Sequence, residues 1–193
     1  MTYRADQDAE LISRYLAGDV AAFDELMRAH QDRVFGVCLR MLRDRDAALD
    51  ATQETFITVF RKADRFAGRS AFSTWLYRVA VNTCYDAARR SGRHRTEPLP
   101  DATDPADERA GDEFIAVELR PDLEAAIESL PEEFQAAVVL SDLNGLALQT
   151  VAEILEVPIG TVKSRVFRGR KILANMLGNL AGPSDPQSGE QHA

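Results

Sequence analysis

An all-α fold of two small helical domains joined by a flexible acidic linker, the second ending in a helix-turn-helix, is what this sequence predicts. Three observations lead there. Large apolar side chains recur at helical spacing with no sustained period-two alternation. From Ser91 to about Asp112 the chain turns to Gly, Pro, Thr, Asp and Glu and loses its large apolar residues. Near the C-terminus, two helical stretches flank a tight turn containing Pro158 and Gly160. A chain of 193 residues has length for two such domains, and 45% hydrophobic with 28% charged side chains is the balance of a chain that folds.

The spacing predicts a first helix from about Val20 to Leu42, with Phe23, Leu26, Met27, Val34, Val37, Cys38 and Met41 on one stripe. A second is expected from about Asp46 to Ala63, with Asp46 as the cap and Ala51, Phe56, Val59 and Phe60 turned inward. A third, Phe72 to about Arg90, stacks Phe72, Trp75, Leu76, Val79, Ala80, Cys84 and Ala87 after a short loop from Phe66 to Ala71. Helical pattern resumes near Phe114 and runs through Leu123, Ile127 and Leu130. Pro131-Glu132-Glu133 then opens a helix, since proline suits a first helical position and acids suit the positive helix end, and Asn144-Gly145 closes it. The last pair spans Leu146 to Leu155 and Thr161 to Leu173. The expected division is 1–92 for the first domain, 93–113 for the linker, 114–178 for the second domain and 179–193 for a disordered tail.

A net charge of −8 argues at first against a nucleic-acid binder, but the distribution reverses that impression. Arg61 to Arg95 carries nine Lys or Arg against two acids, and Thr161 to Lys171 five against none. Residues 93 to 121 hold eight acids against four bases, so the excess negative charge lies mainly between the basic blocks. Local sign decides where phosphate docks. An acidic tether between two cationic faces is also placed to compete with DNA for them.

Cys38 and Cys84 lie far apart with no metal-type spacing, and they read as small buried hydrophobes. The histidines His30, His94 and His192 have no partners at ligand or catalytic spacing, and no acid/base pair, nucleophile set or phosphate loop suggests an enzyme. No cofactor is expected. No apolar run is long enough to span a bilayer and the N-terminus has no signal-peptide core, so no membrane insertion and a cytoplasmic location are the expectation.

Two constellations carry chemistry. In the last helix, Val162, Val166, Gly169 and Leu173 share one side, while Thr161, Ser164, Arg165 and Arg168 share the other, flanked by Lys163, Phe167, Arg170 and Lys171. A short helix with a cationic outer face and hydroxyls near its start suits a DNA major groove. The third helix instead interleaves aromatics and cations, with Trp75, Tyr77, Arg78, Asn82, Tyr85, Arg89 and Arg90. That mixture suits unpaired DNA, because bases stack on rings while phosphates follow the charges.

The segment Phe66-Ala-Gly-Arg-Ser-Ala-Phe-Ser-Thr-Trp-Leu-Tyr-Arg-Val-Ala-Val-Asn-Thr-Cys-Tyr-Asp-Ala-Ala-Arg-Arg90 resembles the part of extracytoplasmic-function (ECF) sigma factors that melts and reads the minus-10 promoter element. Asp50-Ala-Thr-Gln-Glu-Thr-Phe56 resembles their motif for docking on the clamp helices of the largest polymerase subunit, and Leu130–Leu140 followed by Val157–Arg165 resembles their minus-35 domain. The resemblance implies minus-10 contacts from Phe66, Gly68, Arg69, Ser70, Ala71, Trp75, Arg78 and Asn82, with a flipped base held by the loop and Asn82. It implies polymerase contacts from Asp50, Gln53, Glu54, Phe56 and Arg61, with the polymerase flap as a further contact. Minus-35 contacts are implied from Gly160, Thr161, Lys163, Ser164, Arg165, Phe167, Arg168 and Arg170. The implied partners are core RNA polymerase, promoter DNA and an anti-sigma factor. The actinobacterial sigma-M-like group is suggested by 20 Arg to 3 Lys and by the C-terminal motif. Ala51 and Thr52 depart from the family's usual apolar pair, and Gln149-Thr150-Val151 from its usual acids and Ile. The competing class is a plain transcriptional regulator whose helical N-terminus senses a ligand or dimerises; the strand-opening segment separates the two readings.

Overall fold

The computed structural model describes residues 2–66, 68, 70–91 and 121–180. The acidic linker, the helical pattern expected near Phe114 and the tail past residue 180 fall outside them. Among the described residues there are helices and no strands. Helix α1 (Thr2–Leu16) precedes α2 (Val20–Leu42), α3 (Arg45–Lys62) and α4 (Phe72–Arg90), with a short 3-10 turn at Ala63–Arg65. The second group is α5 (Pro121–Glu128), α6 (Glu132–Val138), α7 (Leu148–Leu155) and α8 (Ile159–Leu180).

Helix α1 was not among the predicted elements, because only a narrow set of apolar residues marks its inner face. Ile12 is buried there, Leu11 and Tyr15 pack at the edge, and the remaining inward position is polar. That position is Asp8, whose carboxylate meets His30 Nε2 of α2 at 2.9 Å with both side chains buried. A buried acid is tolerable when it is paired. Helix α2 has its predicted bounds and ends on Arg43, in the left-handed region at φ 57°, whose N–H bonds the Leu39 carbonyl. This exit places Asp44 in extended backbone, where its side chain accepts from the N–H groups of Asp46 and Ala47 at 2.9 Å. The cap of α3 is therefore Asp44, not Asp46.

Helices α2, α3 and α4 close on a core in which Val34, Val37, Cys38, Leu76 and Ala80 have no exposed surface. The two cysteines meet in this core: Cys84 donates to the Cys38 sulfur, which lowers the Cys38 thiol pKa, while that bond together with burial raises Cys84. Their spacing in the chain had shown no pairing.

In the second group, α6 runs into a wider π turn at Val139–Leu143. The Val139 carbonyl accepts both the backbone N–H of Asn144 at 3.0 Å and its side-chain Nδ2 at 2.6 Å. Gly145 follows at φ 63°, a backbone conformation that favours glycine. Asn144-Gly145 thus ends the helix as expected, with the Asn buried and not merely a surface breaker. Glu156 (φ 56°) turns the chain out of α7, and the Pro158 carbonyl takes the first bonds of α8 from Thr161 and Val162. Helix α8 consequently starts before Thr161 and reaches Leu180, two residues into the stretch assigned to the tail. Its predicted inner stripe of Val162, Val166, Gly169 and Leu173 is buried. Gly169 lets α6 approach closely, since a Cβ there would lie 2.7 Å from Val138 Cγ2.

Candidate nucleic-acid and polymerase interfaces

At the start of α4, an aromatic platform grows from packing that α4 makes with α2. Phe72 is buried against the edge of His30 (5.5 Å). Phe66 and Trp75, both half-buried, pack on Phe72 at 5.8 and 5.9 Å and on each other at 5.4 Å. Trp75 is therefore neither fully core nor free: one side is anchored and the rest is available. Gly68 sits exposed at φ 64°, a conformation costly to other residues, while Ser70 is half-buried and Ala71 exposed. Arg69 lies outside the described residues.

Seven residues beyond Trp75, two helical turns along the same face, Asn82 is exposed. It lines a groove of about 260 Å³ between α3 and α4, together with Glu54, Thr58, Lys62, Asp86 and Arg90. The groove is polar, with amide, hydroxyl and charged groups of both signs, which suits a hydrogen-bonding ligand and not an apolar one. Arg78, between Trp75 and Asn82, points instead to α7. Its Nη2 donates to the Glu153 carbonyl at 2.6 Å and its Nη1 meets Glu156 Oε1 at 3.0 Å.

The outer face of α3 presents Asp50, Gln53, Glu54 and Arg61, all exposed. Phe56, predicted to join them, is 7% exposed and belongs to the core, because its position on the helix turns it toward α2 and α4. The reverse holds for Phe60, expected inside but 45% exposed. Phe60 leans on Tyr15 of α1 (5.3 Å) and Phe23 of α2 (5.1 Å) and leaves its other side open. Leu49 and Ile57 are likewise exposed at 41% and 42%, each one turn from Gln53, and Phe60 is three residues beyond Ile57 on the same face. This apolar row, edged by acids and Arg61, is the feature missed from sequence. Its signal was present as apolar residues on two sides of α3, one more than packing in one core requires.

On α8 the structure separates the predicted groove-facing residues into two sets. Lys163 and Gly160 are exposed, and Thr161, Ser164, Phe167 and Arg168 are half-buried on the side away from the inner stripe. The Ser164 hydroxyl is turned back to the Thr161 carbonyl at 2.9 Å. Arg165 and Arg170 lie at the edges of the buried stripe and meet acids of α6 and the π turn. Arg165 Nη2 donates to Glu133 Oε2 at 2.8 Å, and Arg170 makes a two-pronged contact with Asp142 at 2.9 Å. The hydrogen bonds that Arg170 donates to the Asp142 carboxylate hold its pKa above the ordinary value. Tyr85, on the flank of α4 near Arg165, has its phenol pushed up to about 12, chiefly by burial and then by Glu132.

A groove-shaped cationic helix, an aromatic strand platform and an exposed apolar row on one helical scaffold can now be set beside known proteins. The family patterns described as Sigma-70 region 2 and Sigma-70, region 4 match residues 26–94 and 120–173. ECF RNA polymerase sigma factor SigM of Mycobacterium tuberculosis is 39% identical over 173 residues, covering 90% of this chain and 86% of the relative. The chain belongs to the ECF RNA polymerase sigma factors. Another relative, ECF RNA polymerase sigma factor SigE of Mycolicibacterium smegmatis, is 43% identical over 166 residues, 83% of this chain but 64% of the relative's length. Among solved structures, the sigma factor RpoE from Bartonella quintana, in complex with the anti-sigma factor NepR, is similar with a TM-score of 0.64 and 25% identity over 82% of this sigma factor and 98% of that chain. The region 2 match covers both the aromatic platform and the exposed row of α3, and the region 4 match takes in the cationic part of α8. Among the described residues, no helix of this sigma factor is long and apolar enough to cross a membrane.

Proposed function

We propose that this sigma factor docks on core RNA polymerase through the outer face of α3, holds the opened minus-10 strand on α4 and its preceding loop, and reads the minus-35 duplex with α8. The observation that carries this reading is the division of DNA-suited chemistry between two helices. Phe66, Trp75 and Asn82 offer stacking and hydrogen bonds to an unpaired strand, whereas Gly160, Thr161, Lys163 and Arg168 offer a narrow cationic ridge to a groove. Residues 1–92 form the region 2 unit and 114–180 the region 4 unit, with 93–113 as tether and the tail following α8. On α3 the contact set is Leu49, Asp50, Gln53, Glu54, Ile57, Phe60 and Arg61. The chain acts by binding in the cytoplasm, and bond formation belongs to the polymerase. An anti-sigma partner of the kind seen with the Bartonella relative is its regulator.

The test is transcription from fragments of genomic DNA by core polymerase with and without the purified chain. Discrete start sites that depend on the chain are expected. Failure to bind core or to direct any start site overturns the reading.

A further inference from the structure

Helix α1 carries none of the contacts assigned to polymerase or promoter, and it lies N-terminal to the segment that the region 2 pattern matches, residues 26–94. Its inner face presents Asp8, Ile12 and Tyr15, spaced by four and three residues as one side of a helix requires. Ile12 is buried and the Tyr15 hydroxyl donates to the Phe60 carbonyl at 3.1 Å, so these two seat the helix. Asp8 does something else. It is 3% exposed and His30 is 1% exposed, and the imidazole Nε2 donates to Asp8 Oδ1 at 2.9 Å, since a carboxylate only accepts. Burying a carboxylate and an imidazole carries a desolvation cost that an apolar pair of the same volume would avoid. What the polar pair adds is direction. The torsion that turns an imidazole ring is broad, and a hydrogen bond to a fixed acceptor holds the ring in one plane.

The held ring faces the strand platform. His30 meets Phe72 edge-on, at 5.5 Å and 67°, and Phe72 in turn carries Phe66 at 5.8 Å and Trp75 at 5.9 Å. Local structure does little to fix Phe72. It is the first residue of α4, the N-cap Ala71 has no side chain able to bond the free N–H groups, and the loop before it is exposed at Gly68. We propose that Asp8 and His30 are positioning residues for strand binding: the carboxylate orients the imidazole, the imidazole edge holds Phe72, and Phe72 sets the stacking surface of Phe66 and Trp75. Both polar residues are buried, so they act through Phe72 and not on DNA. The inference rests on the promoter reading above and deepens it by placing the support of the platform in α1 and α2. Rings can stack on an unpaired base only at the angle the base needs, which calls for neighbours whose own rotamers are locked.

Trp75 is the one tryptophan of the chain, so its emission reports on the platform directly. His30→Gln keeps a donor for Asp8 but has no ring edge for Phe72, whereas Asp8→Ala keeps the ring and removes its acceptor. Both variants are expected to move the Trp75 emission of the free full chain to longer wavelength and to increase its quenching by acrylamide. Both should also weaken binding of a labelled mixed-sequence single strand to the complex of the chain with core polymerase by about three- to tenfold, part of what one stacked base contributes. Ile12→Ala, which opens a cavity under the same helix, should lower the melting temperature and leave Trp75 emission and strand affinity at the parental values. Parental emission and affinity in His30→Gln overturn the proposal; because that variant keeps the buried carboxylate bonded, the result is read on a folded chain. Equal changes in Ile12→Ala overturn it as well, since the pair would then contribute general stability alone. Trp75→Ala distinguishes this failure from that of the promoter reading. If Trp75→Ala binds the strand as tightly as the parent, the promoter reading of the platform fails; if it binds weakly while His30→Gln does not, the positioning role alone fails.

Discussion

Ile57→Asp is expected to weaken binding to core RNA polymerase by at least about thirtyfold, the effect of losing a buried anchor worth about 2 kcal/mol. Ile57 is 42% exposed in the free chain and stands in a row with Leu49 and Phe60, which are similarly exposed. Single exposed apolar residues are common, but three in line on one helix face make the centre of the proposed docking surface. An aspartate there would be stripped of water on docking, and exposed Arg61, one turn on, offsets only part of that cost. The substitution touches little of the core, so the melting temperature should stay close to that of the parent chain. Fluorescence titration of labelled chain with core polymerase reads the affinity. A loss under about threefold with an unchanged melting temperature would remove this row from the interface.

Gly169→Val is expected to destabilise the α5–α8 unit by roughly 2–3 kcal/mol, the usual range for forcing extra volume into a packed core. The added Cβ would lie 2.7 Å from Val138 Cγ2 and 3.6 Å from both Cβ and the carbonyl oxygen of Phe134. Val138 and Phe134 are themselves buried, which leaves them little room to give way. Valine is also stiff in a helix, so it cannot rotate its branch out of the contact. The gain in helix propensity over glycine is only a few tenths of a kcal/mol and does not offset the clash. Thermal unfolding should show an earlier transition, with loss of minus-35 duplex binding at the same temperature. A melting temperature equal to or above the parent's would mean that α6 and α8 do not meet at Gly169.

Much of the scaffold was legible because its signals are local. Helices α2 and α4 repeat large apolar residues at helical spacing over five or more turns, and their predicted bounds match the structure. The buried stripe of α8 was readable for the same reason, and with it the opposite, DNA-suited side. What failed depends on residues distant in the chain. Helix α1 buries Asp8 against His30, a polar pair that no hydrophobic pattern announces. Phe56 and Phe60 are four residues apart on neighbouring parts of α3, and only the positions of α1, α2 and α4 decide which one is covered. The cap of α3 moved from Asp46 to Asp44 because the left-handed exit at Arg43 sets where extended backbone ends. Arg165 and Arg170 looked like free groove readers, yet acids on α6 and the π turn engage them. The same reasoning explains Arg78: its partners Glu153 and Glu156 lie 75 and 78 residues away, and no local pattern pairs them with α4.

Region 2 is assigned the unpaired strand and region 4 the groove, and Asn82→Ala separates those tasks most sharply. With polymerase and a promoter carrying 2-aminopurine in its minus-10 element, this variant should slow the rise in fluorescence from base unstacking by about tenfold, a loss of about 1.4 kcal/mol. Its affinity for a minus-35 duplex fragment should stay within about twofold of the parent's. Equal losses in strand opening and duplex binding would contradict the division of labour between α4 and α8.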